Sequence, residues 1–215
     1  MNLFHLGSPL WRGINKLLLM LYAGMLWFVC SLPIITMGAA SAALMEVMMK
    51  LSKNQEGYIG ASFFAAFRAN LRRGILVWLP FLISQILWGV NAFYYGVLGG
   101  EAFRLQTVIF SLLLLCSMGA ALYAFAVMAK FENTVKGTIV MAVALAVRNP
   151  GWTAALVVLQ VLALFVCWFF VYLPLLFFMG IVGYVQAVMF DHIFQRMIDQ
   201  GMITEQRQEG AYGEK

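Results

Sequence analysis

Two apolar runs in this chain are too long to cross a membrane only once. Residues 17–51 and 153–190 are predominantly apolar, and as continuous helices they would measure about 52 and 57 Å against a hydrocarbon core of about 30 Å. Each carries a Leu-Pro near its middle, Leu32-Pro33 and Leu173-Pro174. Proline removes a backbone donor and drives the preceding residue out of the helical region, so both sites are natural breaks. Split there, each run gives two helices of roughly 16 to 20 residues, enough for a short span. Two further apolar runs, 75–98 and 105–129, are about 36 to 38 Å long and suit one tilted span each.

Composition agrees, with 63% of the 215 residues hydrophobic, 11% charged and a mean hydropathy of +0.88, where soluble domains carry about 25% charge. The expected fold is an all-α integral membrane protein, a bundle of about six transmembrane helices in one domain over residues 1–200. Residues 201–215 are expected to form a polar, disordered tail. The N-terminal MNLFHLGSPLWRGINK leads into an apolar run too long for the h-region of a signal peptide, so the first segment is expected to stay in the protein.

The basic residues choose between topologies. With six spans and both termini inside, 13 of the 14 Lys and Arg residues face the cytoplasm, Arg104 being the exception; four spans with the same central loops inside would strand six of them outside. The N-terminal hairpin has further support, because Thr36 is placed to cap the next helix and Gly38 falls in its first turn. No capping residue follows Pro174, so a single kinked helix there, giving five spans, is the alternative. The segments around Leu32-Pro33 and Leu173-Pro174 also echo each other as a Leu-Pro followed by a glycine, a short-range hint of a repeat.

Two segments between the spans read as amphipathic helices in the cytoplasmic headgroup layer. Phe63, Phe67 and Leu71 recur every four residues while Arg68, Arg72 and Arg73 take other faces, and Trp78 opens the next span as an interfacial anchor. Phe131, Val135, Ile139 and Val143 show the same spacing, and Arg148-Asn149-Pro150 ends that helix before Trp152. Such helices pack on the membrane surface or offer a docking face to a cytoplasmic partner.

Candidate chemistry is sparse. The chain contains no His-Glu-x-x-His, no phosphate-binding glycine loop and no Gly-x-Ser-x-Gly, so neither catalysis nor a metal or cofactor is expected. The net charge of +5 sits in short segments beside the apolar runs, as orientation signals do, and nucleic acid is not an expected partner. Cys30, Cys116 and Cys167 each lie within an apolar run and read as small buried hydrophobes. Glu46 stands four residues before Lys50, the spacing of a local ion pair. Gln85, Asn91, Gln160 and Gln186 are polar groups within spans, fit to tie helices together or to line a path. Asp191 and His192 are neighbours that could share a proton, although adjacent helical positions point in different directions. Gly38 with Ala42, and Ala39 with Ala43, form small-xxx-small pairs for close helix approach, with Gly180 and Gly183 as counterparts in the second half.

The residues NKLLLMLYAGMLWFVCSLPIITMGAASAALMEVMMKL, EGYIGASFFAAFRANLRRGILVW and FENTVKGTIVMAVALAVRNPGWT together resemble the YesL-like family of small bacterial multi-pass membrane proteins, defined by a domain of unknown function. The most specific part is Leu32-Pro33-x-x-Thr36-x-Gly38-Ala39-Ala40 together with Phe63-x-x-x-Phe67-Arg68-x-Asn70. The resemblance implies a bacterial cell-membrane address and an association with carbohydrate uptake through binding-protein-dependent sugar importers, and carries over no catalytic residues. The expected function is a non-enzymatic accessory or regulatory component of such an importer. The alternative is a permease-like subunit forming part of the substrate path, since EGYIGASFFAAFRANLRRGILVWLP loosely resembles the loop by which importer permeases contact their ATPase.

Overall fold

The computed structural model describes residues 9–55, 57–97, 99, 103–169 and 173–199, with the side chains at 9, 10, 12, 167–169 and 173–178 left out of the description. The helices are α1 (Pro9–Ser31), α2 (Met37–Ser52), α3 (Ile59–Val97), α4 (Arg104–Lys130), α5 (Val135–Arg148), α6 (Pro150–Phe169) and α7 (Leu173–Asp199), with one 3-10 turn, Ile34–Thr36, before α2. Among the described residues there is no strand. By length and hydropathy α1, α2 with its preceding turn, α3 and α4 can each cross a membrane, and α5 with α6, bent by 102° at their junction, make a fifth candidate. The expected six spans, or five, thus meet four or five candidates, and α7, with 27 residues, is a further helix about 40 Å long. The tail 201–215 lies outside the described residues.

Both Leu-Pro sites turn the chain back. At the first, Trp27 Nε1 on α1 donates to Ser41 Oγ on α2 at 3.0 Å across the hairpin. At the second, Gln186 Nε2 donates to Gln160 Oε1 at 2.9 Å and the rings of Trp152 and His192 stand 5.7 Å apart. Advancing along α6 from Trp152 to Gln160 means retreating along α7 from His192 to Gln186, so the two helices are antiparallel. Pro174 falls in the first turn of α7, where its missing N–H costs no helical bond. A kinked single helix is ruled out by those two contacts. The helices that follow the two prolines lie side by side: Gly183 on α7 meets Leu44 and Met48 on α2, and Asp191 pairs with Lys53 just past the end of α2. Further along α7 is further along α2, so they run parallel.

The first amphipathic segment is not a separate interfacial helix. It forms the opening half of α3, which continues through Pro80 to Val97 without interruption. Nothing between Arg73 and Trp78 breaks a helix, and Gly74 lies against Ala39 of α2. The Phe63–Phe67 stripe faces protein: Phe63 is fully buried and its ring stacks on Phe67 at 6.4 Å. Trp78 is buried as well, against Phe125 of α4, and is no interfacial anchor.

The second segment does form a short helix. In α5, Thr134 Oγ1 caps the start by accepting from Gly137 N at 3.2 Å, and the helix ends at Arg148 with Pro150 opening α6. Its inward residues are Thr138, Ala142 and Leu145, while Val143 points outward. Phe131 belongs to the end of α4, buried edge-on against Phe194 of α7 at 5.3 Å. The core centres on α2 and the second half of α4, where Gly119 to Ala129 are all buried.

Candidate functional site

The hairpin tip is built from groups that satisfy one another. Pro33 is exposed and cannot donate, and the turn Ile34–Thr36 leaves the last carbonyls of α1 without helical partners. Thr36 Oγ1 answers one of them, lying 2.7 Å from Cys30 O, and also stands 2.8 Å from Pro33 O in the turn, with its one proton shared between the two. It does not cap α2, contrary to its residue type, because its own backbone is already helical. Trp78 Nε1 reaches from α3 to donate to Ile34 O at 2.9 Å. Beside it, Gly38 allows α2 and α3 to touch: a Cβ there would meet Trp78 Cβ at 2.5 Å and Gly74 O at 2.6 Å. Leu32, Ile34 and Ile35 project outward, so the tip shows an apolar surface over satisfied backbone, as a tip in contact with lipid requires.

Residues 20–92 match the family model described as a protein of unknown function, DUF624. The match runs from the middle of α1 through the hairpin and α2 into α3, and so contains Pro33, Thr36, Gly38, Glu46, Phe63, Phe67, Arg68, Asn70, Gln85 and Asn91. It agrees with the YesL-like resemblance. No curated protein and no solved structure matches the chain.

A second cluster gathers charge where the ends of α2 and α4 meet α7 two turns before its own end. Asp191 Oδ1 receives Lys53 Nζ at 3.0 Å and Lys130 Nζ at 3.6 Å, and Lys130 also lies 5.0 Å over the ring of Phe194. One carboxylate thereby ties α7 to both α2 and α4. Lys130 is well covered and Lys53 more open, at 17% and 41% side-chain exposure, so the inner pair is the less screened one. Nearby, Arg73 Nη2 donates to Phe131 O at 3.1 Å and to Thr138 Oγ1 at 2.8 Å. That guanidinium fixes the end of α4 and the inner face of α5 to α3. Glu46 and Lys50 form the expected ion pair at 2.8 Å within α2.

The remaining sequence candidates scatter. Asn70 Nδ2 and Asn91 Nδ2 fold back onto Ala66 O and Leu87 O of their own helix, at 3.0 and 2.8 Å. Gln85 is half-buried and reaches no other helix by a hydrogen bond among the described residues. Gln186 is buried and spent on Gln160, and Thr153 on α6 contacts Tyr123 OH on α4 at 3.4 Å, so these polar groups act as ties between helices. Arg68 and Arg148 are exposed, and Pro150 opens α6. Asp191 and His192 face different ways, one toward the lysines and the other toward Trp152. Cys116 is exposed, unlike the expected buried thiol, and Cys30 is partly covered. A hollow between the end of α2 and the start of α3, lined by Val47, Lys50, Ile59 and Ser62, has about 10 Å³ of free space, room for one water.

What sequence reading missed was Asp191 as a hub and Arg73 as a bracket. Both join residues more than 50 positions apart, and the only local signal was charge at the end of an apolar run.

Proposed function

We propose that this chain is a non-enzymatic protein of the bacterial cell membrane, with its N-terminus and basic end in the cytoplasm, that serves as an accessory or regulatory component of a carbohydrate importer. The observation that supports it is the outward face of α5. Lys136, Val140, Val143 and Val147 fall on one stripe of this helix, and Val140 and Val147 are 68% and 75% exposed. The opposite face is pinned by the Thr138 contact with Arg73. A rigid, short helix turned 102° from the span that follows it and offering branched apolar side chains is a docking ridge for a partner helix or groove. The carbohydrate importer, as partner, comes from what the family resemblance implies.

The permease-like reading starts from the segment EGYIGASFFAAFRANLRRGILVWLP and needs polar groups along a path, for which Gln160 and Gln186 are the candidates within the helices. Their mutual hydrogen bond leaves them less available to a substrate, so the accessory role is the better supported.

The test is affinity purification from native membranes of carbohydrate-induced cells, with wild type and a Val140→Asp/Val147→Asp variant. Recovery of importer subunits with wild type and their loss with the variant is the expected result. Equal recovery with both, or no importer subunit with either, would refute the role assigned to α5.

A further inference from the structure

Arg68 and Arg72 are exposed and make no hydrogen bond or ion pair with any described residue. They stand on α3, which has no carboxylate anywhere from Ile59 to Val97. At 100° per residue both arginines share a sector about 120° wide with Phe64, Leu76, Ile83, Ile86 and Val90, all of them exposed. Because α3 is one continuous helix, this is a single outward face, apolar except for two arginines one turn apart. Arg73, the next residue, points the other way and is bonded to α4 and α5.

A guanidinium stays charged at any physiological pH, so two of them on a lipid-facing stripe need an anion. Side chains at i and i+4 are about 6 Å apart at Cβ, close enough for both forks to grip one phosphate with paired charge-assisted hydrogen bonds. We propose that Arg68 and Arg72 form a binding site for the phosphate of an anionic phospholipid, whose acyl chain lies along Leu76 and Ile83. The apolar stripe on either side selects a lipid over an acidic polypeptide, since the same face continues into the span. Charge selects an anionic lipid over a zwitterionic one, whose own cation offsets its phosphate. The site stands independently of the docking role given to α5.

The experiment is native mass spectrometry of the full chain released from detergent and titrated with phosphatidylglycerol. The comparison set is wild type, Arg68→Gln/Arg72→Gln, Arg68→Lys/Arg72→Lys and Arg196→Gln, an exposed arginine elsewhere. Wild type and Arg196→Gln should hold the lipid equally, the double glutamine variant about twenty-five-fold more weakly, from roughly fivefold per basic group near an anionic surface, and the lysine variant between them. Equal retention by the double glutamine variant would overturn the site, as would equal binding of phosphatidylcholine by wild type. Displacement of the lipid by millimolar inorganic phosphate would assign the pair to a free ion, and displacement by polyglutamate to an acidic polypeptide; either would overturn the lipid assignment.

Discussion

Replacing Gly38 by alanine adds one methyl group where two helices already touch. Its Cβ would stand 2.5 Å from Trp78 Cβ and 2.6 Å from Gly74 O, while carbon atoms pack at about 3.5–4.0 Å. α2 and α3 must therefore part by about 1 Å, or Trp78 must move. Trp78 cannot move freely, because its indole N–H holds the Ile34 carbonyl at the hairpin tip. Overpacking of this kind costs about 1–3 kcal/mol, and a weakened Trp78 hydrogen bond adds about 1 kcal/mol, so a loss of roughly 2–4 kcal/mol is expected. Gly89→Ala in the same helical bundle is the internal control. A Cβ at Gly89 meets nothing within 4 Å, so that change should be neutral or stabilise by up to about 1 kcal/mol. The assay is unfolding of the full chain in mixed micelles with increasing sodium dodecyl sulfate, followed by tryptophan fluorescence. If Gly38→Ala unfolds at the same detergent fraction as Gly89→Ala, the close crossing of α2 and α3 is wrong.

Other substitutions probe the charged end and the tip. Asp191→Asn should cost about 1–3 kcal/mol, less than a fully buried pair because Asp191 is 24% exposed, and a double-mutant cycle with Lys130→Gln should show coupling that shrinks only slightly in high salt; complete additivity would remove the hub. Arg73→Gln should cost about 1.5–3 kcal/mol and speed hydrogen exchange at Gly137 and Thr138 above all; uniform exchange across the helices would deny it the bracket role. Trp78→Phe removes the indole bond to Ile34 O and leaves that carbonyl the Met37 N–H alone, so it should destabilise by about 1 kcal/mol, and an unchanged midpoint would mean that water replaces the indole. Thr36→Val should lower stability by a similar amount, whereas a helix-capping role for Thr36 would also fray the first turn of α2 in hydrogen exchange.

The hairpins were legible because they follow from length and charge, quantities a sequence states directly. Pro33 and Pro174 marked reversals that helix length demanded, and Arg148-Asn149-Pro150 marked a helix end. The role of Thr36 was not legible: its residue type suits a cap, but the intervening turn put its hydroxyl beside the carbonyls of Cys30 and Pro33 instead. The face of α5 was misread for a geometric reason. A four-residue repeat drifts about 40° per step around a helix of 3.6 residues per turn, so Val135 and Val143 end roughly 80° apart, and Phe131 lies before α5 on extended backbone. The shorter repeat from Phe63 to Phe67 drifts less and stays on one face, although that face meets protein and not lipid. Asp191 could not be paired from sequence, because its partners Lys53 and Lys130 come from two other helices.

In the proposed function α5 is the surface that meets a partner, and a photo-crosslinking residue placed at Val147 in native membranes tests for that contact directly. With Val158, exposed on α6, as the comparison site, the account predicts a crosslink to an importer subunit from position 147 and lipid adducts alone from position 158. Lipid adducts alone from both positions would contradict it.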